Sequence, residues 1–185
     1  MGSRVRGQLT SDTHGSQILE FALTLPLLVV LVVGIYDFAQ AFNTKEKLNF
    51  AARDGARFGS TQPTNDLSRD TPVSVTAIRD LLDADLLATG INDCGLGSIQ
   101  QTGPLTWTAT GTCQNSSTFT LTIDRGFVVS PTPTASAPVQ EISTHVDLQY
   151  PYQWQFSSVI GLLIPGGRYA GITQIETDAV AANQD

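Results

Sequence analysis

Residues 15–28 read Gly15-Ser16-Gln17-Ile18-Leu19-Glu20-Phe21-Ala22-Leu23-Thr24-Leu25-Pro26-Leu27-Leu28, and the apolar run that begins there decides the fold. Residues 21–36 carry no charge; extending the run back to Ile18 admits one acid, Glu20, and makes nineteen residues. At 1.5 Å rise per residue such a helix is about 28 Å long, close to the hydrocarbon thickness of a bilayer. A helix built for the core of a soluble domain would keep one polar face, and this run has none. Arg4 and Arg6 precede it and Asp37 follows it. The excess of arginine on the N-terminal side predicts a single-pass topology, with the N-terminus cytoplasmic and everything beyond Asp37 extracytoplasmic. Pro26, one turn inside the span, is read either as a tolerated kink or as a bend that helps subunits pack.

A carboxylate at the edge of a hydrocarbon span calls for a partner, because desolvating an unpaired charge is costly. Cleavage after Gly15 would create a new α-amino group at Ser16 and make Glu20 the fifth residue of the mature chain. An ammonium and a carboxylate brought together at the membrane boundary offset each other's desolvation. Between neighbouring helices that pairing can set an axial register. Without a partner, Glu20 would simply snorkel to the lipid headgroups.

Gly15, an acid five residues on and an apolar run form the pattern of prepilin peptidase substrates, with Phe21 as the aromatic after the acid. The fuller string of residues 15–28 resembles the N-terminus of TadE-like proteins, the minor pilins or pseudopilins of tight adherence pilus systems. The similarity continues through Gly34-Ile35-Tyr36-Asp37-Phe38 and Ala51-Ala52-Arg53-Asp54-Gly55-Ala56-Arg57-Phe58. The resemblance implies processing between Gly15 and Ser16 and assembly contacts through Glu20 and Phe21. It also implies, as partners, other pilin subunits, the pilus assembly machinery, prepilin peptidase and membrane lipid, and a final place in an extracellular pilus. Two other fates stay open. Ala39-Gln40-Ala41 has the small-x-small form of a signal peptidase site, which would release a soluble binding protein starting at Phe42. Alternatively the Gly15 site is never cut and the domain remains tethered.

The apolar pattern does not stop at the presumed interface. Ile35, Phe38, Phe42, Leu48, Ala52 and Ala56 fall close to one helical stripe, while Lys45, Glu46, Lys47 and Arg53 fall elsewhere. The expectation is therefore a leader over residues 1–15, one helix over 16–58 closed by Gly59 as a cap, and an extracytoplasmic domain over 59–185. Within that domain residues 60–70 form a polar loop. Thr71-Pro72 then supplies an N-cap and a first-turn proline for a second helix, which runs to about Thr89 with Val75, Ile78, Leu82 and Leu86 inward and Gly90 closing it.

Past Asn92 the period changes to two. Leu105, Trp107 and Ala109 alternate with threonines, as do Phe119, Leu121 and Ile123. Residues 130–138, with three prolines, read as an exposed loop. Ile142, Thr144, Val146, Leu148 and Tyr150 predict a central strand, and a last strand is expected from Tyr169 to about Ala179. Residues 154–163 have two readings, a short amphipathic core helix or an exposed apolar face that docks elsewhere. Helices followed by an antiparallel sheet make the class α+β, with the long helix on one sheet face. The two cysteines, Cys94 and Cys113, are expected to form a disulfide if this region lies outside the cytoplasm, and to be reduced, half-buried thiols otherwise.

The formal charge of the 185-residue chain is −7, and removing residues 1–15 would leave eight basic and sixteen acidic side chains, a charge of −8. That excess argues against nucleic acid as a partner, since phosphate binding needs clustered lysine and arginine. The only histidines are His14 and His145, and no metal-spaced His/Cys set, phosphate loop or nucleophile elbow is found. His145 is expected on the outward side of its strand. Asp80, Asp83 and Asp85 on the second helix, with Asp93 beyond, are read as a solvated helix face in preference to a calcium site. Asn115-Ser116-Ser117 matches a glycosylation sequon, a short pattern frequent by chance. No enzymatic activity, metal or cofactor is expected.

Overall fold

The computed structural model describes residues 13–129, 141–154 and 173–184. Helix α1 spans Thr13–Ser60, 48 residues with Pro26 inside. Its first part, to Phe38, belongs to one unit, and from Ala39 onward it belongs to a second unit that holds α2 and the sheet.

In the first unit the side chains of α1 from Gln17 to Val29 are all exposed, an apolar surface of the kind a lipid-facing helix presents. Asp37, at the end of this stretch, is buried.

In the second unit α2 covers Val73–Ala88, with Ser74, Val75, Ile78, Leu82 and Leu86 buried. Its start corrects the expected cap. Pro72 is the N-cap and Val73 the first helical residue, and neither Pro72 nor Thr71 caps it by side chain. Asp66 does so instead, accepting from the Ser74 amide and the Ser74 hydroxyl at 2.8 Å each. The other end is a Schellman closure: Ile91 N donates to Leu86 O, Gly90 N donates to Leu87 O, and Gly90 takes φ +75°.

The strands are β1 (Gln100–Gly103), β2 (Thr106–Thr112), β3 (Thr118–Val129), β4 (Glu141–Pro151) and β5 (Gln174–Ala182). They form one antiparallel sheet in the order β1-β2-β3-β4-β5. The α+β expectation therefore holds. Registers such as Trp107↔Ile123, Leu121↔Leu148 and Leu148↔Thr177 line the buried residues of successive strands on one face. These join Leu48, Ala52 and Ala56 of α1 and the buried stripe of α2 in a single core.

Several expectations are corrected by this geometry. Strand β1 has no apolar alternation and was not anticipated. Leu105 belongs to the β1–β2 turn at φ +57°, not to a strand, and its carbonyl accepts from Arg125 N. The final strand is Gln174–Ala182, later than expected, and the stretch from residue 155 to 172, with most of the apolar segment 154–163, lies outside the described residues, as do 1–12 and 130–140. Gly59 lies inside α1 and caps nothing. A Cβ there would stand 2.7 Å from Thr144 Cγ2 and 2.9 Å from Ile78 Cδ1, and one on Gly55 would stand 2.8 Å from Leu82 Cδ2. The two glycines let α1 lie against α2 and β4 at backbone range.

Candidate functional site: the N-terminal helix and its processing segment

The residues singled out for processing and assembly all lie on one turn after another of α1. Gly15 and Ser16 fall in its first turn. Glu20 and Phe21 follow, both exposed. Thr24 Oγ1 donates to Glu20 O at 3.0 Å and to Phe21 O at 3.2 Å, so a polar side chain inside the apolar run satisfies itself on its own helix. The helix is long and apolar enough to cross a membrane, and its most apolar stretch is exposed among the described residues. A free amino group at Ser16 would stand four residues, about one turn, before the Glu20 carboxylate.

The stripe predicted along the outer part of α1 divides in two. Leu48, Ala52 and Ala56 are buried in the core, whereas Ile35, Phe38 and Phe42 are 63%, 49% and 66% exposed. The periodicity of these six residues is one pattern, and its upper half, Leu48, Ala52 and Ala56, belongs to the core of the second unit. The upper half is also tied by polar contacts. Asn49 Oδ1 accepts from the Thr177 hydroxyl of β5, Ser60 O accepts from Gln184 N, and Lys47 Nζ reaches Thr89 O at the end of α2.

Cys94 and Cys113 are brought together, with sulfurs at bonding distance and Cα atoms 4.5 Å apart. Cys94, at φ +57°, lies in the segment after α2, and Cys113 starts the turn into β3, so the bridge pins that segment beside β2. The backbone fit is close, since a Cβ on Gly111 would meet Cys94 O at 2.8 Å.

The aspartates of α2 have different main partners. Asp80 pairs with its neighbour Arg79. The Asp83 carboxyl is pushed up by burial and then by Asp93, while Asp85 is pushed up by burial and then by Asp54 of α1. Among the described residues no group of three or more His, Cys, Asp or Glu side chains is arranged to hold a metal. His145 faces the outer side of the sheet, 3.4 Å from Asp178 and stacked at 4.6 Å on Phe127.

Two positions escaped sequence reading. Arg125 occupies an inward position of β3 and is fully buried, with Nη2 donating to Gln62 O at 2.9 Å. Alternation alone would have put an apolar residue there. Desolvation lowers its pKa and the nearby Asp66 opposes that. Asp66 sits in the polar loop before α2, and its spacing of eight residues from Ser74 follows no local capping rule.

Taken together, an exposed apolar N-terminal helix that runs into an α+β domain stapled by a cysteine pair defines a protein with a candidate single membrane span. Residues 15–57 match the family model described as TadE-like protein. The segment that decides the fold is thus TadE-like, from the glycine of the expected processing site to the buried alanines of α1. No curated protein and no solved structure matches the chain.

Proposed function

We propose that this chain is a membrane-anchored minor pilin, or pseudopilin, that takes part in assembling a tight adherence pilus. The observation that carries the reading is the extent of the TadE-like match, which starts at Gly15 and runs along one helix through the apolar run to residue 57. On this reading prepilin peptidase cuts between Gly15 and Ser16, the N-terminus begins in the cytoplasm and the domain lies outside it. The helix packs among the helices of other pilin subunits in lipid. The Glu20 carboxylate then pairs with the Ser16 ammonium of a neighbouring subunit, which offsets the desolvation of both charges and fixes their axial register. Phe21 packs beside that pair. The chain has no catalytic role; its work is lateral packing.

N-terminal sequencing of the mature protein tests the processing step. Ser16 as first residue supports the reading, Phe42 replaces it with secretion after Ala41, and an untrimmed start leaves a tethered domain. The pairing role is tested by Glu20→Ala, which should leave the chain in the membrane and remove it from assembled filaments. Unchanged incorporation would overturn the role given to Glu20.

A further inference from the structure

Outside the apolar run, the outer half of α1 carries two adjacent clefts. One, of about 380 Å³, is lined by Asp54, Arg57, Phe58 and Thr61 of α1 and by Leu81 and Asp85 of α2. The other is lined by Glu46, Asn49, Phe50 and Arg53. The first holds two carboxylates against an apolar wall made by Phe58 and Leu81. Its Asp85 Oδ2 is shielded from solvent and receives no hydrogen bond. Asp54 faces the same space, close enough to raise the Asp85 pKa further once burial has raised it. Arg57 lines this cleft as well, but forms no ion pair with either aspartate. A half-buried carboxylate with one oxygen left without a donor is costly, and a cation entering the cleft beside the exposed Asp54 would offset that charge.

The second cleft presents the complementary pair. Phe50 is 65% exposed and Arg53, three residues on, is exposed on the same side of α1. A ring and a guanidinium side by side match an apolar wall beside two carboxylates, and the guanidinium can also lie over the Phe58 ring. Among the other basic side chains of the described surface, Lys45 also stands three residues from an exposed ring, Phe42, but about two turns lower on α1 and without a guanidinium fork to span two carboxylates. Lys47 is engaged at Thr89 O and Arg79 at Asp80. Arg69 has no exposed ring three or four residues away. Copies anchored in one membrane by the same helix run parallel, which holds Arg53 of one copy within about one turn, roughly 5 Å, of the height of Asp54–Phe58 in the next.

The geometry points to a head-to-tail contact between copies of this chain, in which Phe50 and Arg53 of one copy enter the Asp54–Phe58–Leu81–Asp85 cleft of the next. The two surfaces are different patches of the same molecule, so the contact is heterologous and each copy keeps a free patch for a further one. It rests on the assembly reading only in requiring parallel copies in one membrane. Arg53 makes a desolvated ion pair there and Phe50 is the apolar anchor.

The test uses the full chain in membrane vesicles, with a benzophenone side chain replacing Phe50 in a tagged copy. Illumination should give a covalent dimer whose cross-linked peptides fall within residues 54–61 or 81–85 of the second copy. Arg53→Glu in the labelled copy should lower the dimer yield about tenfold or more, and Asp85→Lys in the receiving copy should restore it. Arg69→Glu should leave the yield unchanged, and an intact Cys94–Cys113 bond reports that each variant has folded. Absence of the dimer, a cross-link mapped elsewhere, capture only of a different protein, or equal loss with Arg69→Glu would each overturn the contact. A chain matured at Ser16 that gives no dimer sinks this contact and leaves the assembly reading standing. A cross-linking chain never matured there does the reverse.

Discussion

The carboxylate of Asp66 caps helix α2 from eight residues upstream, accepting from both the amide and the hydroxyl of Ser74 at 2.8 Å. Burial raises the Asp66 pKa, but these bonds outweigh it and leave the group below its ordinary value. Such a group contributes stability that is complete above the unfolded carboxyl range, near pH 4, and is lost as pH falls through the lower folded value. Asp66→Ala should therefore cost about 0.5–2 kcal/mol at neutral pH. In denaturant titrations of the full chain in detergent, the difference from wild type should shrink only below about pH 4.

Asp147 behaves with the opposite sign. It stands directly across the sheet from Asp178, and its pKa is raised by burial and then by Glu176. A raised carboxyl weakens the fold while ionised, and the penalty is relieved as pH falls through the folded value. Asp147→Asn should stabilise the domain at neutral pH by about 0.2–1 kcal/mol. The gain should vanish on acidification, as read from midpoints measured at neutral and acidic pH.

Gly59 allows α1 to approach β4 and α2, and its substitution should be felt through packing. Glycine to alanine in a helix normally stabilises by about 0.5–1 kcal/mol. Gly59→Ala should instead destabilise by about 1–3 kcal/mol, because the new methyl meets Thr144 Cγ2 and Ile78 Cδ1 inside contact distance. A thermal melt of the purified chain distinguishes these two signs.

The cysteine pair restrains a loop with a sequence separation of 19. Closing a loop of that size is worth about 3 kcal/mol in the chain-entropy model. Reduction, or Cys94→Ser with Cys113→Ser, should lower stability by about that amount. Peptide mapping without reductant should recover residues 94 and 113 in one linked species.

Much of the architecture was legible because it rests on local periodicity. The apolar run from Ile18 to Tyr36, the inward residues Val75, Ile78, Leu82 and Leu86, and the alternation through Phe119, Leu121 and Ile123 are dictated by side chains that repeat with the helix or the strand. Gly90 as the stop of α2 was legible for the same kind of reason, a left-handed residue where a helix ends. The errors fall where the deciding contact is distant. Gly59 looks like a cap when only its neighbours in sequence are considered, and becomes a packing residue once Thr144 and Ile78 are opposite it. Leu105 fits an alternation that the turn into β2 interrupts.

The sequence by itself determined the apolar helix, its TadE-like segment and the α+β class, since hydrophobic pattern and covalent order are properties of the chain. Only the tertiary structure decided which half of the helix stripe is covered, that Asp66 serves as the cap of α2, that Arg125 is buried beside Gln62, and that Asp54 and Asp85 share a cleft. Each of those depends on groups far apart in sequence meeting across helices or strands, where burial sets what a charge costs and proximity sets what offsets it.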